Sequence, residues 1–333
     1  MTIVDIAKES GYSVTTVSRV LNNRQDVSPA AKNKIMEIVK AHNFVPNTNA
    51  KRLKQNISRN IYVLVKGTSN MLFANIIEEI QSVVDRTDYS LSITYLDEDD
   101  NISNETTRIC RERKPLGIIF LGGSRDDFND EFLTLEVPCV IATTSAEGWD
   151  INELSSVSID DEKAGETIVD YLIDNGHTKI AEIGANLELS QTAILRHNGY
   201  IKSLKKHGIT PDERYYEKAR FSYDSAYRAM QRLLEKGIEI TAVYAISDVM
   251  AIGAIRAILD KGLKVPDDIS ITGFDGSTLA QYYNPKIVSI RQPHKDMAVR
   301  SVELLFNMID LHKEASHENV PFELTEGESV AHI

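Results

Sequence analysis

Residues 2–23 read TIVDIAKESGYSVTTVSRVLNN, a stretch in which two short helical patterns flank a turn. Thr2 and Asp5 have the spacing of a capping box, which predicts a helix that begins near residue 3. Gly11 can adopt the positive φ of a tight turn, and Ser13 is placed to cap a second helix. The apolar side chains that repeat at helical spacing are Ile3, Ile6, Ala7, Val17, Val20 and Leu21. This pattern predicts a helix-turn-helix.

The outward face of the second predicted helix combines short and fork-ended side chains. Its members are Val14, Thr15, Thr16, Ser18 and Arg19. Hydroxyl and guanidinium groups on such a face suit the base edges and phosphates of double-stranded DNA, so we expect a sequence-specific DNA interface. The pattern alone leaves open a small amphipathic helical hairpin with a polar surface.

A third helix is predicted within VSPAAKNKIMEIVKAHNFVPN, residues 27–47. Ser28 is placed as its N-cap and Pro29 at its first helical position. The side chains expected to face inward and complete a miniature core are Ile35, Ile38 and Val39.

The segment NTNAKRLKQN, residues 47–56, predicts a short basic helix with one large apolar residue, Leu53. An isolated helix of this length is marginal in water. We therefore expect it to fold only against a partner.

Charge is distributed unevenly along the chain. The formal net charge is −12, but residues 1–60 contain ten Lys or Arg and four Asp or Glu, so this part carries +6 and the remainder −18. A run of charge is often only a solvated surface. Together with the helix-turn-helix pattern, however, the basic end indicates a polyanion-binding module.

The composition excludes several classes of protein. With 333 residues, 42% hydrophobic and 26% charged, the chain fits a soluble globular protein of about two domains. No apolar run approaches the roughly 20 residues of a membrane span, and no signal peptide is recognisable, so a cytoplasmic location without a membrane partner is expected. Cys110 and Cys139 are expected to be buried free thiols.

From NIYVLV, residues 60–65, onward the pattern changes to alternating elements. Short apolar, β-branched runs (GIIFLGG, PCVIAT, KIAEIGA, AVYAIS and DISITGF) alternate with amphipathic segments at 72–86, 161–175, 192–207, 222–236 and 248–261. This alternation predicts an α/β core with parallel sheets, and the number of strands favours two doubly wound subdomains.

The motifs DIAKESGYSVTTVSRVLNN and VPNTNAKRL resemble the LacI family of bacterial transcription regulators, and the resemblance extends over essentially the whole chain. It implies a helix-turn-helix headpiece at 1–46, a hinge helix and linker at 47–59, and an effector-binding and dimerisation domain at 60–333. This last domain should be similar to periplasmic sugar-binding proteins. Its expected subdomains are 60–159 plus 292–321 and 160–291 plus 322–333, with the chain crossing between them near SIDDE, SIRQP and VPFEL.

The resemblance also implies how DNA is bound. Val14, Thr15 and Arg19 match base-reading positions, and Thr16 and Ser18 match phosphate contacts. The hinge residues that would enter the minor groove are Asn47, Ala50 and Leu53, of which Leu53 would be the wedge between base steps. A homodimer on a palindromic operator follows, because two-fold pairing doubles the interface of one recognition helix.

By the same resemblance, a small polar effector, a sugar or glycoside, is expected in a cleft at the carboxyl ends of the strands. The residues expected to contact it are Ser69, Phe73, Thr143, Arg196, Phe221, Ser247 and Asp275. Arg196 could grip two hydroxyls or a carboxylate, and Asp275 could accept from sugar hydroxyls or an amine.

Several of these assignments have alternatives. Asp275 could instead be a helix N-cap, and Phe221 could be a core aromatic. Ser247 replaces a common Asn, and Thr143 stands where many sugar-responsive members carry Asp, so effector identity stays open. Trp149 could stack on a sugar from the rim or pack within its loop.

The sequence shows no pattern typical of an enzyme. FLGGS lacks the GxGxxG spacing, and neither a GxSxG elbow nor a metal-spaced His cluster is present, so we expect no catalysis, no metal and no cofactor. His177 is expected to pack at a helix end. Two alternatives to a sugar effector remain: a purine or nucleoside, or a phosphorylated carrier protein as in catabolite-control-type regulators. Those regulators use an arginine where this chain has Glu303, with Arg300 one turn earlier.

Overall fold

The computed structural model describes residues 3–21, 27–42, 44, 59–67 and 70–333. The chain divides into two units, Met1–Ser58 and Arg59–Ile333. Within the described residues, no helix is both long enough and apolar enough to cross a membrane.

The described part of the first unit consists of helices. These are α1 Ile3–Ser10, α2 Val14–Leu21 and α3 Pro29–Ala41. The caps predicted for α2 and α3 are confirmed: the Thr16 N–H donates to Ser13 Oγ at 3.1 Å, and the Ala31 N–H donates to Ser28 Oγ at 3.3 Å. Thr2, which belongs to the capping box predicted for α1, lies outside the described residues.

The three helices share a small apolar core. Ile6, Val17 and Ile35, one from each helix, are fully buried in it. Between α1 and α2, Gly11 has a φ of +74°, which is the backbone conformation that the tight turn requires. The predicted helix-turn-helix is confirmed.

The second unit alternates strands and helices. In chain order its elements are β1 Asn60–Lys66, α4 Met71–Val84, β2 Ser90–Leu96, α5 Ile102–Arg113, β3 Gly117–Leu121, β4 Cys139–Ala142, β5 Leu154–Ser158, α6 Asp161–Asp174, β6 Ile180–Gly184, α7 Gln191–Lys206, β7 Tyr216–Lys218, α8 Tyr223–Glu235, β8 Ala242–Ala245, α9 Asp248–Asp260, β9 Ser270–Asp275, α10 Thr278–Tyr282, β10 Val288–Arg291, α11 His294–Leu311, β11 His317–Asn319 and β12 Glu323–Thr325.

These strands form two sheets, ordered β11-β5-β4-β3-β1-β2 and β12-β10-β9-β8-β6-β7. Strands β3 and β4 are buried at every position, as expected for parallel strands that are covered on both faces. One side of the first sheet packs on α4 and α11, and the other on α5. The predicted α/β core of two doubly wound subdomains is confirmed.

One pairing departs from the predicted parallel arrangement, because β12 pairs with β10 in the antiparallel direction. The chain between them passes through α11 and β11, which belong to the first subdomain. No helix therefore crosses over the second sheet between β10 and β12, and nothing imposes the parallel direction.

The chain passes between the two sheets three times. The passages lie between β5 and α6, between β10 and α11, and between β11 and β12, within SIDDE, SIRQP and VPFEL. Each sheet combines strands that precede a passage with a strand that follows one. Neither sheet can therefore form from one continuous stretch of chain.

Four side chains of the second unit that the sequence singled out, two cysteines, a tryptophan and a histidine, have structural surroundings. Cys110 is a half-buried free thiol and Cys139 a buried one. Trp149, between β4 and β5, packs on Phe128, between β3 and β4, at a ring-centroid distance of 5.7 Å. His177 follows the end of α6, and its ring nitrogens lie 3.1 Å from Thr241 Oγ1 and from the Ala331 carbonyl oxygen.

Candidate functional site

Helix α2 carries the predicted DNA-contacting residues of the headpiece. Val14, Thr15 and Arg19 are exposed, Val14 to 42%, whereas Thr16 and Ser18 are half-buried. The Thr16 hydroxyl lies 2.9 Å from Ser13 Oγ at the start of the helix. The helix therefore offers solvent a surface of hydroxyl, aliphatic and guanidinium groups while its other side closes the core.

Four predicted site residues lie outside the described residues. Three belong to the predicted hinge helix, namely Asn47, Ala50 and Leu53, and the fourth is Ser69, which stands between β1 and α4 in the sequence. Their assignments stay predictions.

A cavity of about 370 Å³ lies in the second unit, where the carboxyl ends of strands from the two sheets face each other. Its volume is in the range of small-molecule sites. Five of the predicted effector-binding residues line it, namely Phe73, Thr143, Arg196, Phe221 and Asp275. Residues from both sheets thus meet at one site, as the expected cleft requires.

Arg196, on α7, is 3% exposed and makes a dense set of polar contacts. Its Nε donates to Asp161 Oδ1 at 2.8 Å and its Nη1 to the Ile246 carbonyl oxygen at 2.7 Å, while Asp275 Oδ1 lies 3.8 Å away. Its guanidinium carbon lies 3.7 Å from the centroid of the Phe274 ring. Burial lowers the pKa of Arg196, but the two carboxylates outweigh this effect and leave the pKa raised.

A close helix crossing brings Arg196 next to Asp161. A Cβ atom at Gly199 of α7 would lie 2.2 Å from the Glu162 carbonyl oxygen, and one at Gly165 of α6 would lie 2.6 Å from the Arg196 carbonyl oxygen. Both distances are shorter than any real contact, so the two glycines permit the approach of α6 and α7. The close approach of the two helices thereby holds the Arg196–Asp161 ion pair in place at the cavity.

Asp275 ends β9 and is 4% exposed. Its Oδ1 accepts from Gln292 Nε2 at 2.8 Å. Among the described residues, neither Asp275 Oδ2 nor Gln292 Oε1 has a hydrogen-bond partner, although both atoms are buried. Because a buried acceptor without a partner is costly, this pair of oxygens is suited to hydroxyl or amine donors of a ligand.

Burial raises the pKa of Asp275 to about 7, although Arg196 acts in the opposite direction. The carboxyl can therefore change its protonation state near neutral pH, and with it the number of hydrogen bonds that it can accept.

Two of the predicted residues have backbone conformations that side chains other than glycine rarely adopt. Thr143 has a φ of 72° and Asp275 a φ of 102°. Such conformations persist only where the surroundings enforce them, and they concentrate at binding sites. Their presence at one cavity supports its assignment as a ligand site.

The cavity also has an apolar side. Leu72 and Phe73 come from α4, Phe221 lies between β7 and α8, and Leu189 lies between β6 and α7 with 56% of its surface exposed. A ligand with one apolar face and several hydroxyls, such as a sugar ring, matches this division.

Ser247 does not line the cavity. It is fully buried and caps α9, where its Oγ accepts from the Met250 N–H at 3.3 Å. Trp149 is also outside the cavity lining, packed among core side chains. A serine between a strand and a helix serves equally well as a cap or as a ligand contact, and the sequence does not distinguish these roles.

Several cavity residues were not identified from the sequence, among them Lys66, Asn70, Thr144, Arg220 and Gln292. Lys66 forms a mostly buried ion pair with Asp127. Gln292 follows β10 within SIRQP, which was recognised only as a crossing. Its position at the carboxyl end of a buried strand was the available signal.

Within the part of the chain that the structure describes, no cluster of three or more His, Cys, Asp or Glu side chains could hold a metal ion.

Two family models match the chain. The model described as bacterial regulatory proteins, lacI family, matches residues 2–47, and the periplasmic binding protein-like domain matches residues 169–330. The first covers the headpiece helices, and the second covers Arg196, Phe221 and Asp275.

The chain is similar over its whole length to known proteins. It is 38% identical to the HTH-type transcriptional regulator MalR of Clostridium butyricum, with 100% of each chain covered. It is 30% identical to catabolite control protein A of Priestia megaterium, over 92% of this chain and 91% of the relative. Among solved structures, the complex of the transcriptional regulator CelR with cellobiose has a TM-score of 0.74 and 26% identity, with 99% of each chain covered.

Proposed function

Because the chain belongs to the LacI family of DNA-binding bacterial regulatory proteins, we propose that it is a homodimeric repressor of transcription controlled by a small sugar or glycoside. It would act in the cytoplasm, where its operator DNA is, and it would carry out no chemical step on its ligand. The effector would bind in the cavity between the two sheets.

The observation that carries the effector assignment is the pair of buried oxygens without partners, Asp275 Oδ2 and Gln292 Oε1. Both residues line the cavity, and both oxygens are acceptors if Asp275 is ionised, so the ligand should supply at least two donors. Neighbouring hydroxyls of a sugar ring meet this need, and Phe221 offers a face for the apolar side of the ring. A relative of this chain, CelR, was solved in complex with cellobiose, which is consistent with this class of ligand.

The DNA-binding part of the proposal is supported by the exposed side chains of α2. Arg19 can donate two hydrogen bonds to a guanine, and Thr15 and Val14 can contact neighbouring base edges. The hinge residues Asn47, Ala50 and Leu53 would contact the minor groove of the same palindromic site.

Control by a phosphorylated carrier protein is less favoured. Arg300 lies one turn before Glu303, and it already donates to Glu303 at 2.5 Å and to Glu318 at 2.7 and 2.8 Å. A phosphate arriving there would meet two carboxylates as well as one guanidinium, and like charges repel.

A thermal-shift screen of the full chain tests the effector assignment. The panel should contain neutral monosaccharides, disaccharides and glycosides beside purine bases and nucleosides. A true effector at about 100 times its Kd stabilises the folded state by about 2.7 kcal/mol, which is readily seen as a higher Tm. A shift with purines alone would replace the sugar by a purine effector. A rise in operator affinity on adding a phosphorylated carrier protein would favour the catabolite-control alternative.

Calorimetry on variants then locates the site. Arg196→Ala and Asp275→Ala should abolish binding of the sugar found by the screen, whereas Arg214→Ala should bind normally, because Arg214 pairs with Asp212 away from the cavity. Unchanged affinity in the Arg196→Ala, Asp275→Ala double variant would show that the ligand binds elsewhere.

A further inference from the structure

An arginine of one subdomain meets a run of acidic residues of the other at the edge of the cavity. Arg220 follows β7, the outer strand of the second sheet, and Asp97, Glu98 and Asp99 follow β2, the outer strand of the first. The Arg220 guanidinium donates from Nη2 to Asp97 Oδ1 at 2.5 Å and from Nε to Glu98 Oε2 at 3.1 Å, and its Nη1 lies 3.4 Å from Asp99 Oδ2.

This contact is separate from the connections that the polypeptide itself makes between the subdomains. Among the ion pairs of residues 59–67 and 70–333, those of Arg220 are the ones that connect the first subdomain with the second. Arg220, Glu98 and Asp99 also line the cavity. The ion pairs thus lie at the cavity beside the outer strands β2 and β7, whereas the three crossing segments join β5, β10, β11 and β12 at the other ends of the sheets.

We propose that Arg220 is an electrostatic latch that holds the two subdomains closed over the cavity and thereby limits the entry and release of ligand. The latch as a property of the ligand-free protein stands on these contacts alone; its role in regulation rests on the proposed function.

The strength of the latch follows from its exposure. Arg220 is 49% exposed and Asp97 and Asp99 more so, so water and salt weaken each ion pair. Its contribution should change the ratio of open to closed molecules by about two- to fivefold, which permits exchange of ligand rather than preventing it. The latch is also asymmetric: three carboxylates share one guanidinium, so loss of one acid should matter less than loss of Arg220.

Double electron–electron resonance on the full chain without ligand tests the proposal. Nitroxide labels at Glu147→Cys and Glu188→Cys would report the distance between the two subdomains on either side of the cavity, since both positions are exposed and follow strands of different sheets. A Cys110→Ser background leaves only the buried Cys139 as a native thiol, and singly labelled chains supply the distances between protomers.

Arg220→Gln should raise the ratio of long to short distances about two- to fivefold at low salt. Asp97→Asn should raise it less, and Arg220→Lys, which keeps the charge but not the three-way geometry, should give an intermediate ratio. The matched control, Arg214→Gln, removes an exposed arginine whose partner is in its own subdomain, and it should leave the distances unchanged. In the parent protein, 1 M NaCl should raise the ratio of long to short distances as much as Arg220→Gln does. In the Arg220→Gln variant, the same salt should cause no further rise.

Identical distance distributions for Arg220→Gln and the parent, or an equal change in Arg214→Gln, would overturn the latch. These outcomes are independent of the effector. If no sugar binds in the thermal-shift screen while the distances change as expected, the proposed function fails and the latch stands. If a sugar binds but Arg220→Gln leaves the distance distribution unchanged, the latch fails and the proposed function stands.

Discussion

At Asp275, burial and the neighbouring guanidinium act in opposite directions on one carboxyl group. Burial removes the water that would stabilise the charge, and Arg196, whose Nη1 lies 3.8 Å from Asp275 Oδ1, returns only part of that stabilisation. Arg196 is shared with Asp161, which holds it at 2.8 Å. The carboxyl oxygen without a partner is therefore kept in a costly state that a ligand can relieve.

This cost predicts a pH dependence of stability. Folding raises the pKa of Asp275 from its ordinary 3.8 to about 7, so the folded state binds the proton more tightly than the unfolded state. Stability should accordingly fall as the pH rises between these two values, by about 1.4 kcal/mol per unit of pKa difference at most. Asp275→Asn removes the titrating carboxyl and should flatten the decline of the free energy of unfolding, measured with urea, between pH 5 and pH 8. Asp126→Asn, at an exposed carboxylate, is the control, and parallel curves for the parent and Asp275→Asn would contradict the assignment.

Arg19 gives a prediction for the DNA-reading surface. If its guanidinium reads a guanine, Arg19→Ala should cost about 1 to 3 kcal/mol and relax specificity at one symmetric pair of base positions. Binding to a library of operator variants measures this. Equal weakening on every sequence would make Arg19 a phosphate contact.

At the scale of elements, the contact between α6 and α7 positions the cavity's arginine. The backbones approach so closely that glycine is needed on both helices, and Arg196 lies within this contact. A helix is usually stabilised when alanine replaces glycine, by about 1 kcal/mol. Here the crossing geometry should reverse the sign.

We expect Gly199→Ala to destabilise the second unit by about 1 to 3 kcal/mol, because the added Cβ would lie 2.2 Å from the Glu162 carbonyl oxygen and force the helices apart. Since Arg196 moves with α7, affinity for the proposed sugar effector should fall as well. Urea unfolding measures the first effect and calorimetry the second. Lys205→Ala, at an exposed position on the same helix, should change stability by less than about 0.5 kcal/mol. A stabilised Gly199→Ala would mean that the crossing tolerates a side chain.

The predicted hinge helix at 47–56 gives a second prediction for an element. From its length and charge we expect this segment to be unstable as an isolated helix and to fold when two copies meet in the minor groove. Leu53→Ala should then leave Tm and sugar affinity unchanged while it weakens specific binding and reduces DNA bending in a gel-phasing assay. Non-specific affinity should be largely retained. Unchanged bending, or a loss of Tm together with all DNA affinities, would make Leu53 a structural residue instead of a wedge.

For the whole molecule, the features that repeat at a fixed spacing were the predictable ones. Apolar periodicity predicted the headpiece helices and the two α/β subdomains, and motif context predicted that Arg196 and Asp275 would meet. Contacts between residues far apart in the chain carry no such spacing. Arg220 donates a hydrogen bond to Asp97 at the edge of the cavity, yet neither segment shows a pattern that indicates the other. For a related reason Gln292 was missed and Ser247, which caps α9, was wrongly assigned to the effector site. A single polar residue after a strand can bind ligand, cap a helix or do neither.

The uneven charge of the chain leads to a prediction for the intact protein. Residues 1–60 carry +6 and the remainder −18, so the large acidic part repels DNA while the small basic part binds it. Affinity must then come from local phosphate contacts that displace counterions. If the proposed dimer makes about 6 to 10 such contacts, operator affinity should fall at least about a thousandfold between 50 and 200 mM salt. Fluorescence anisotropy over a salt series measures the slope, with a scrambled DNA of equal length as control for the non-specific part. A nearly flat plot of log affinity against log salt concentration would mean that the basic headpiece does not provide the binding energy.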